Sequence, residues 1–97
     1  MSTTPYFLLH AVEIQDGVAQ VDGRLGELPV SIGHVFSRSF GSHQDWRGRQ
    51  GAQPCALVIN QIESYQQSLS TLSPGMTARL SLVGSHISVL KSAEVIE

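Results

Sequence analysis

The stretch that decides the fold is residues 62–84, IESYQQSLSTLSPGMTARLSLVG. It begins at the end of an apolar strand and continues through a polar connector in which Leu69 and Leu72 are apolar. Pro74-Gly75 then predicts a turn, because proline presets φ and glycine accepts positive φ. Beyond the turn every second residue is apolar, which is the period of a strand with one buried face. This pattern of strand, turn and strand predicts a small closed β-barrel.

The first part of the chain shows the same alternation. Residues 6–15 are apolar and β-prone, and Asp16-Gly17 separates them from a second alternating run. Asp-Gly between two such runs predicts a hairpin with a type I′ turn. In the second arm we expect Ala19 and Val21 to face the core, with polar residues between them.

The rest of the chain supplies further strands and one long connection. The alternation slips at Asn60, which predicts a β-bulge there, and Tyr65 is expected in the core or at its rim. A single helical turn is an option at residues 65–72. Residues 41–54, GSHQDWRGRQGAQP, contain three glycines and no apolar period, so we expect a loop. The remaining strands are predicted at residues 34–40, 55–65, 76–83 and 87–96.

These elements predict one all-β domain spanning residues 1–97, a closed antiparallel barrel of six to seven strands with a Greek-key-like order. Its net charge of −2 argues against binding nucleic acid or acidic membranes over the whole surface. Cys55 is the single cysteine, so no disulfide forms within the chain, and a reducing cytoplasmic compartment fits best. No apolar run reaches the length of a membrane helix, about 20 residues.

Two groups of residues carry a family resemblance. The first follows the order valine, glycine-arginine-leucine, valine, isoleucine-glycine, phenylalanine, at Val21, Gly23, Arg24, Leu25, Val30, Ile32, Gly33 and Phe36. The second comprises Ile62, Glu63, Ser64, Tyr65, Leu69, Leu72, Pro74, Gly75, Met76, Ala78, Leu80, Leu82 and Gly84.

From about Phe7 to Ile96, the chain resembles the second-domain β-barrel of translational GTPases of the elongation factor Tu type. The resemblance implies the fold, here as a stand-alone domain. The sequence lacks a GxxxxGK[ST] phosphate loop, so we expect no nucleotide hydrolysis. No functional residue of the family is carried over, because a shared fold does not imply a shared function.

Few groups in the sequence are arranged for chemistry. His34, His43, Asp45, Cys55 and His86 are the candidate metal ligands. Only His43-x-Asp45 has a close spacing, and structural zinc sites use denser clusters. There is no Gly-x-Ser-x-Gly motif, and a lone cysteine is more often a buried apolar residue than a nucleophile. We therefore expect no bound metal, no cofactor and no enzymatic activity.

The long loop is the candidate binding region. Trp46, Arg47 and Arg49 lie within it, with His43 nearby and Arg38 at its base. Tryptophan and arginine are enriched at interaction hot spots, and the same pair stacks on bases and pairs with phosphates. The alternative for Trp46 is that it covers one open end of the barrel, with the arginines solvated.

Two functions of different classes follow. The first is a non-catalytic binding module that engages a protein partner, or a copy of itself, through the loop 41–54 and an exposed barrel edge. The second is a small RNA- or ribosome-associated barrel protein, suggested by the resemblance and the local arginines. A third alternative is an accessory subunit of a larger enzyme.

Overall fold

The computed structural model describes residues 4–97, and residues 1–3 of the predicted domain lie outside the described part. Nine strands, one short α-helix and one 3-10 helix make up the described chain. They are β1 (Phe7–Gln15), β2 (Val18–Leu25), β3 (Val30–Ser31), β4 (Val35–Phe40), α1 (His43–Gly48), β5 (Gln53–Ser64), β6 (Gln67–Leu69), β7 (Thr71–Leu72), β8 (Thr77–Ser85), the 3-10 helix (Ile87–Ser92) and β9 (Val95–Ile96).

Six strands close into a barrel in which every pairing is antiparallel. The order in the main sheet is β4-β9-β1-β2-β8-β5-β6, and an additional pairing of β4 with β5 closes the first six strands. β6 is the extra strand, paired with the far end of β5, and a separate two-stranded sheet joins β3 to β7. The predicted all-β closed antiparallel barrel is therefore confirmed. Closure leaves β6 as a short free edge of the main sheet.

The first hairpin has the predicted geometry. Gln15 pairs with Val18, so the loop between β1 and β2 has two residues. Asp16 and Gly17 have φ values of 54° and 78°, the positive values that a type I′ turn requires. Ala19 in the second arm is fully buried, as the alternation predicts.

Within residues 4–97, three register shifts, or β-bulges, interrupt the strand pairing, one of them between β4 and β5 at Phe36/Arg38. The register of β5 against β8 changes between Ile59 and Gln61, which confirms the slip predicted at Asn60. Another bulge, in β1, changes the register between Leu9 and Ala11. Such an extra residue moves the following side chains to the other face of the strand.

The core runs through the centre of the barrel and consists of aliphatic side chains with three phenylalanines. Its largest fully buried members are Phe7, Phe36, Phe40, Leu25, Leu57, Ile59, Ile62, Leu72, Leu80, Leu82, Leu90 and Ile96.

The connection after β5 differs from the prediction. Residues 65–72 hold no helical turn, because Tyr65 and Gln66 form a two-residue turn between β5 and β6. Both residues have positive φ, 51° and 66°. Tyr65 is 82% exposed, so its predicted place in the core or rim is wrong. The turn directs its side chain away from the barrel, and the core is filled without it.

Residues 87–96 do not form one strand. A 3-10 helix spans Ile87–Ser92, and only Val95–Ile96 pair as β9. His86, with φ of 62°, ends the extended run. Ile87 and Leu90 are three residues apart, so a 3-10 helix places both on one side, where they pack against the core. Their apolar spacing fits a 3-10 helix better than a strand.

Candidate binding site

The segment between β4 and β5 is more ordered than the predicted loop, because it contains the helix α1 (His43–Gly48). Ser42 is extended, and its hydroxyl accepts a hydrogen bond of 3.0 Å from the N–H of Asp45, the usual geometry of a helix N-cap. Arg49 ends the helix with φ of 56°, in the left-handed conformation common at C-terminal caps. The overlooked signal is a serine followed three residues later by an acidic residue, a pattern typical of helix starts.

Trp46 projects from α1 and packs against Tyr6 with the two rings tilted. Their ring centroids are 4.4 Å apart with an angle of 42° between the planes. Tyr6 in turn lies against Gly26, where an added Cβ would come within 2.3 Å of its ring. Glycine at this position therefore lets the Tyr6 ring lie close to the backbone. The two rings, which we call the aromatic wall, are fixed from both sides.

Glu97 holds Trp46 and Arg49 in place. Its carboxylate accepts a 2.8 Å hydrogen bond from Trp46 Nε1 and two from the Arg49 guanidinium, at 2.7 and 2.6 Å. Arg38 Nε lies 3.9 Å from the same carboxylate. Glu97 itself is only 4% exposed. We call this carboxylate and its donors the Glu97 clamp.

The electrostatics of the clamp favour its charged form. The hydrogen bonds from Arg49 lower the pKa of Glu97; burial opposes this, while Trp46 and the charge of Arg38 also lower it. The pKa of Arg49 is raised mainly by its hydrogen bonds to Glu97. Its guanidinium also lies 5.3 Å from the centroid of the Phe40 ring, a cation–π contact. The clamp thus ties α1 to the barrel by charge and hydrogen bonds.

An open cleft of about 340 Å³ lies beside the aromatic wall. That volume is at the lower end of the range for ligand sites and is large enough for one or two amino-acid side chains. The cleft is lined by Thr4, Tyr6, Glu27, Leu28, Trp46, Arg47, Arg49 and Glu97.

Arg47 differs from the other two arginines of this region. Its side chain is exposed, and within residues 4–97 it makes no hydrogen bond or ion pair. Arg38 and Arg49 both point at Glu97. Of the three, Arg47 alone lines the cleft without an ion pair among residues 4–97.

The structure brings together three of the residues singled out from the sequence and separates two. Trp46, Arg47 and Arg49 line the cleft. Arg38 does not line it, and its Nε lies 3.9 Å from the Glu97 carboxylate. His43 lies on α1 away from the cleft, and its backbone N–H donates to Glu94 Oε1 at 3.2 Å.

Sequence reasoning missed the other side chains of the cleft. Tyr6, Glu27, Leu28 and Glu97 come from distant parts of the chain. Glu97 lies 51 residues from Trp46 in the sequence, and no local pattern predicts the hydrogen bond between them.

The other candidate groups are not assembled for chemistry. Within residues 4–97, no three His, Cys, Asp or Glu side chains approach closely enough to hold a metal ion. Cys55 is buried, with Sγ 3.6 Å from the carbonyl oxygen of Phe36, and burial raises the pKa of its thiol. His34 packs edge-on against the ring of Phe36, and burial lowers its pKa.

In the described part of the chain, no helix has the length and apolar character needed to cross a membrane.

Comparisons with protein-family models, curated proteins and solved structures gave no match to this chain. The resemblance to the translation-factor barrel therefore stays a prediction, and the candidate site rests on its own geometry.

Proposed function

We propose that this protein is a non-catalytic binding module that takes up a side chain of a protein partner in the cleft beside α1. The observation that carries the proposal is a pre-formed aromatic wall, Tyr6 and Trp46, with the unpaired Arg47 at its rim.

The aromatic wall supports binding because it is already fixed. Trp46 is held by its hydrogen bond to Glu97, and Tyr6 by its contact with Gly26. A partner that docks against the two rings does not have to order them first, which lowers the entropic cost of association. Large rigid aromatic side chains are also the commonest anchors of protein interfaces.

The rim of the cleft indicates the chemistry of the partner. Leu28 adds an apolar contact, and Arg47 offers a guanidinium without a partner among residues 4–97. We therefore propose a peptide segment with an apolar or aromatic side chain followed by a carboxylate. The carboxylate pairs with Arg47, and the apolar side chain packs on the aromatic wall.

We also propose that the protein has no catalytic activity and resides in the cytoplasm. Cys55, the one thiol of the sequence, is buried and has a raised pKa, which does not suit a nucleophile. A single free cysteine also suits a reducing compartment.

The RNA-associated alternative has less support. Arg49 is hydrogen-bonded to Glu97 and Arg38 lies 3.9 Å from the same carboxylate, so part of the positive charge of this group is already neutralised. Titration of mixed cellular RNA at low salt tests this alternative, because phosphate contacts are strongest there. Binding that weakens steeply with salt would favour the RNA alternative over the peptide proposal.

The peptide proposal is tested with a displayed library of random peptides selected on the purified protein. Trp46 is the only tryptophan, so its fluorescence reports binding of each selected peptide directly. We expect selected peptides to pair an apolar residue with an acidic one and to shift the Trp46 emission.

A charge reversal on the rim separates this cleft from other surfaces. Arg47→Glu is expected to weaken the selected peptides by about tenfold or more, since it replaces an attraction by a repulsion. Lys91→Glu is the matched control, because Lys91 is exposed and outside the lining of the cleft. Peptides that bind both variants as well as the wild type, or a library that yields none, would overturn the proposal.

A further inference from the structure

The cleft beside α1 is lined by charged side chains of both signs. Arg47 and Arg49 supply the positive charges, and Glu27 and Glu97 supply the negative ones. Arg49 and Glu97 bind each other through hydrogen bonds of 2.7 and 2.6 Å, so their charges are already matched. Glu27 is exposed, and its carboxylate makes no ion pair or hydrogen bond among residues 4–97. The cleft therefore presents one unpaired charge of each sign, Arg47 and Glu27.

The two unpaired charges belong to opposite ends of the aromatic wall. Glu27 directly follows Gly26, whose N–H donates a 2.9 Å hydrogen bond to the carbonyl oxygen of Tyr6 and against which the Tyr6 ring lies. Arg47 directly follows Trp46, the other ring of the wall. Although Glu27 and Arg47 line one cleft, they form no ion pair with each other. The wall therefore has a negative group at its Tyr6 end and a positive group at its Trp46 end.

These charges are complementary to a ligand that carries both signs. A segment that is acidic throughout would place a carboxylate beside Glu27, and one that is basic throughout would place a cation beside Arg47. A segment without charge would cover both groups and leave them without water or a counter-charge, which costs free energy. A segment with one base and one acid, each opposite its counter-charge, avoids all three costs.

We propose that Glu27 is a specificity-determining residue of this cleft, and that the ligand is a segment in which a basic residue precedes the apolar one and an acid follows it. This inference rests on the proposed function, to which it adds the base and its counter-charge. The base pairs with Glu27, the apolar side chain packs on the aromatic wall beside Leu28, and the acid pairs with Arg47. In an extended peptide, side chains two positions apart share a face at a spacing of about 7 Å. We therefore expect the base and the acid within two positions of the apolar residue.

The exposure of Glu27 sets the size of the expected effect. Ion pairs between exposed side chains add little affinity, and their main effect is to reject partners of the wrong charge. Glu27→Gln should therefore weaken binding by only about threefold. Glu27→Lys brings the base of the ligand against a like charge and should weaken binding by about tenfold or more. Glu27 lies in the connection between β2 and β3, outside the core, so both variants should keep the fold.

The peptides selected on the wild-type protein provide the first test. We expect the selection to enrich a basic residue before the apolar one, relative to the unselected library. A selected peptide and its counterpart with glutamine in place of that base are then titrated against the wild type and Glu27→Lys, with Trp46 fluorescence as the readout. Glu27→Lys should weaken the basic peptide by about tenfold and leave the glutamine peptide nearly unchanged. Equal weakening of both peptides would overturn the proposal, because it would show that Glu27 only supports the shape of the cleft.

Exchange of the two charges provides a stricter test. The double variant Glu27→Lys with Arg47→Glu reverses the ends of the wall without changing the net charge, and it should prefer peptides in which the acid comes first and the base last. A double variant that keeps the original preference would overturn the proposal.

Glu13→Lys is the matched control for Glu27→Lys. Glu13 is exposed on β1 and outside the lining of the cleft, so this variant makes the same change of net charge at a distance from the aromatic wall. It should leave the binding of both peptides unchanged. Equal effects of Glu13→Lys and Glu27→Lys would show that net charge governs binding, and the proposal would be wrong.

Failure of this inference is distinguishable from failure of the proposed function. Selected peptides that depend on Arg47 but carry no base, or that bind Glu27→Lys as tightly as the wild type, would overturn the role of Glu27 and leave the binding module intact. A library that yields no peptide, or peptides that are indifferent to Arg47→Glu, would overturn both.

Discussion

The segments before and after β5 each contain one aromatic residue, and the two side chains have opposite environments. Trp46, on α1 before the strand, packs against Tyr6 and donates a 2.8 Å hydrogen bond to Glu97. Tyr65, in the turn after the strand, is 82% exposed and has φ of 51°. Both segments are polar and short, so local composition does not separate them.

The difference between them lies in the rest of the chain. The acceptor for Trp46 is 51 residues away, in the part of the chain that follows β9. The hydrogen bonds that secure the Tyr65 turn lie within its own β-hairpin. An aromatic side chain in a connection is therefore anchored when a distant element supplies a partner, and stays in solvent when none does.

Removal of the clamp should give the largest effect. Glu97→Ala deprives Trp46 and Arg49 of their shared acceptor, and we expect the free energy of unfolding to fall by about 2–3 kcal/mol. Urea denaturation followed by circular dichroism measures this change.

Tyr65→Ala is the matched comparison at the other end of β5. Its side chain is almost wholly in solvent, so we expect a change within about 0.5 kcal/mol. Similar losses for Glu97→Ala and Tyr65→Ala would contradict the view that only the α1 end is anchored.

The pH dependence of stability should distinguish the charge of the clamp from its shape. The pKa of Glu97 is lowered from its usual value of 4.5, chiefly by hydrogen bonds from Arg49. A carboxyl with a depressed folded-state pKa contributes stability that is present above 4.5 and is lost as the pH falls through the folded-state pKa.

Glu97→Gln provides the comparison for this prediction, because it keeps an acceptor for Trp46 and cannot titrate. The stability of the wild type should exceed that of Glu97→Gln at pH 7, and the gap should narrow on acidification to pH 3. Other carboxyl groups are common to both proteins and cancel in the difference. A gap that stays constant over this range would show that the charge of Glu97 contributes nothing.

Redesign of the Tyr65 turn should give a small change in stability of opposite sign to that of Glu97→Ala. Tyr65→Asn with Gln66→Gly installs the preferred sequence of a type I′ turn, which has positive φ at both positions. We expect the double variant to be more stable by about 0.5–1 kcal/mol, because neither new residue is strained there. The melting temperature of the double variant, compared with that of the wild type, measures this gain in stability. A lower melting temperature would mean that the Tyr65 side chain makes a stabilising contact.

Much of the barrel was predictable because strand alternation and turn chemistry are local. Asp16-Gly17 predicted its hairpin, since positive φ is a property of those residues and that turn. The slip at Asn60 was visible because a bulge breaks a period of two. The apolar spacing of Ile87 and Leu90 was misassigned to a strand, since short apolar runs fit several local structures.

The candidate site was predictable only in part. Trp46, Arg47 and Arg49 were identified by residue type, whereas Tyr6 and Glu97 were not. The helix around Trp46 was missed although Ser42 and Asp45 form a capping pair.

The sequence by itself determined the all-β class, the first hairpin, the bulge in β5 and most of the inward-facing residues, because each depends on neighbours within a few positions. Only the tertiary structure decided which arginines pair with Glu97 and that Trp46 packs against Tyr6. It also decided that Val35, Val58 and Val83 align in one outward row. Those features depend on the register between strands and on contacts across the barrel, and a one-residue change of register would turn each side chain to the other face.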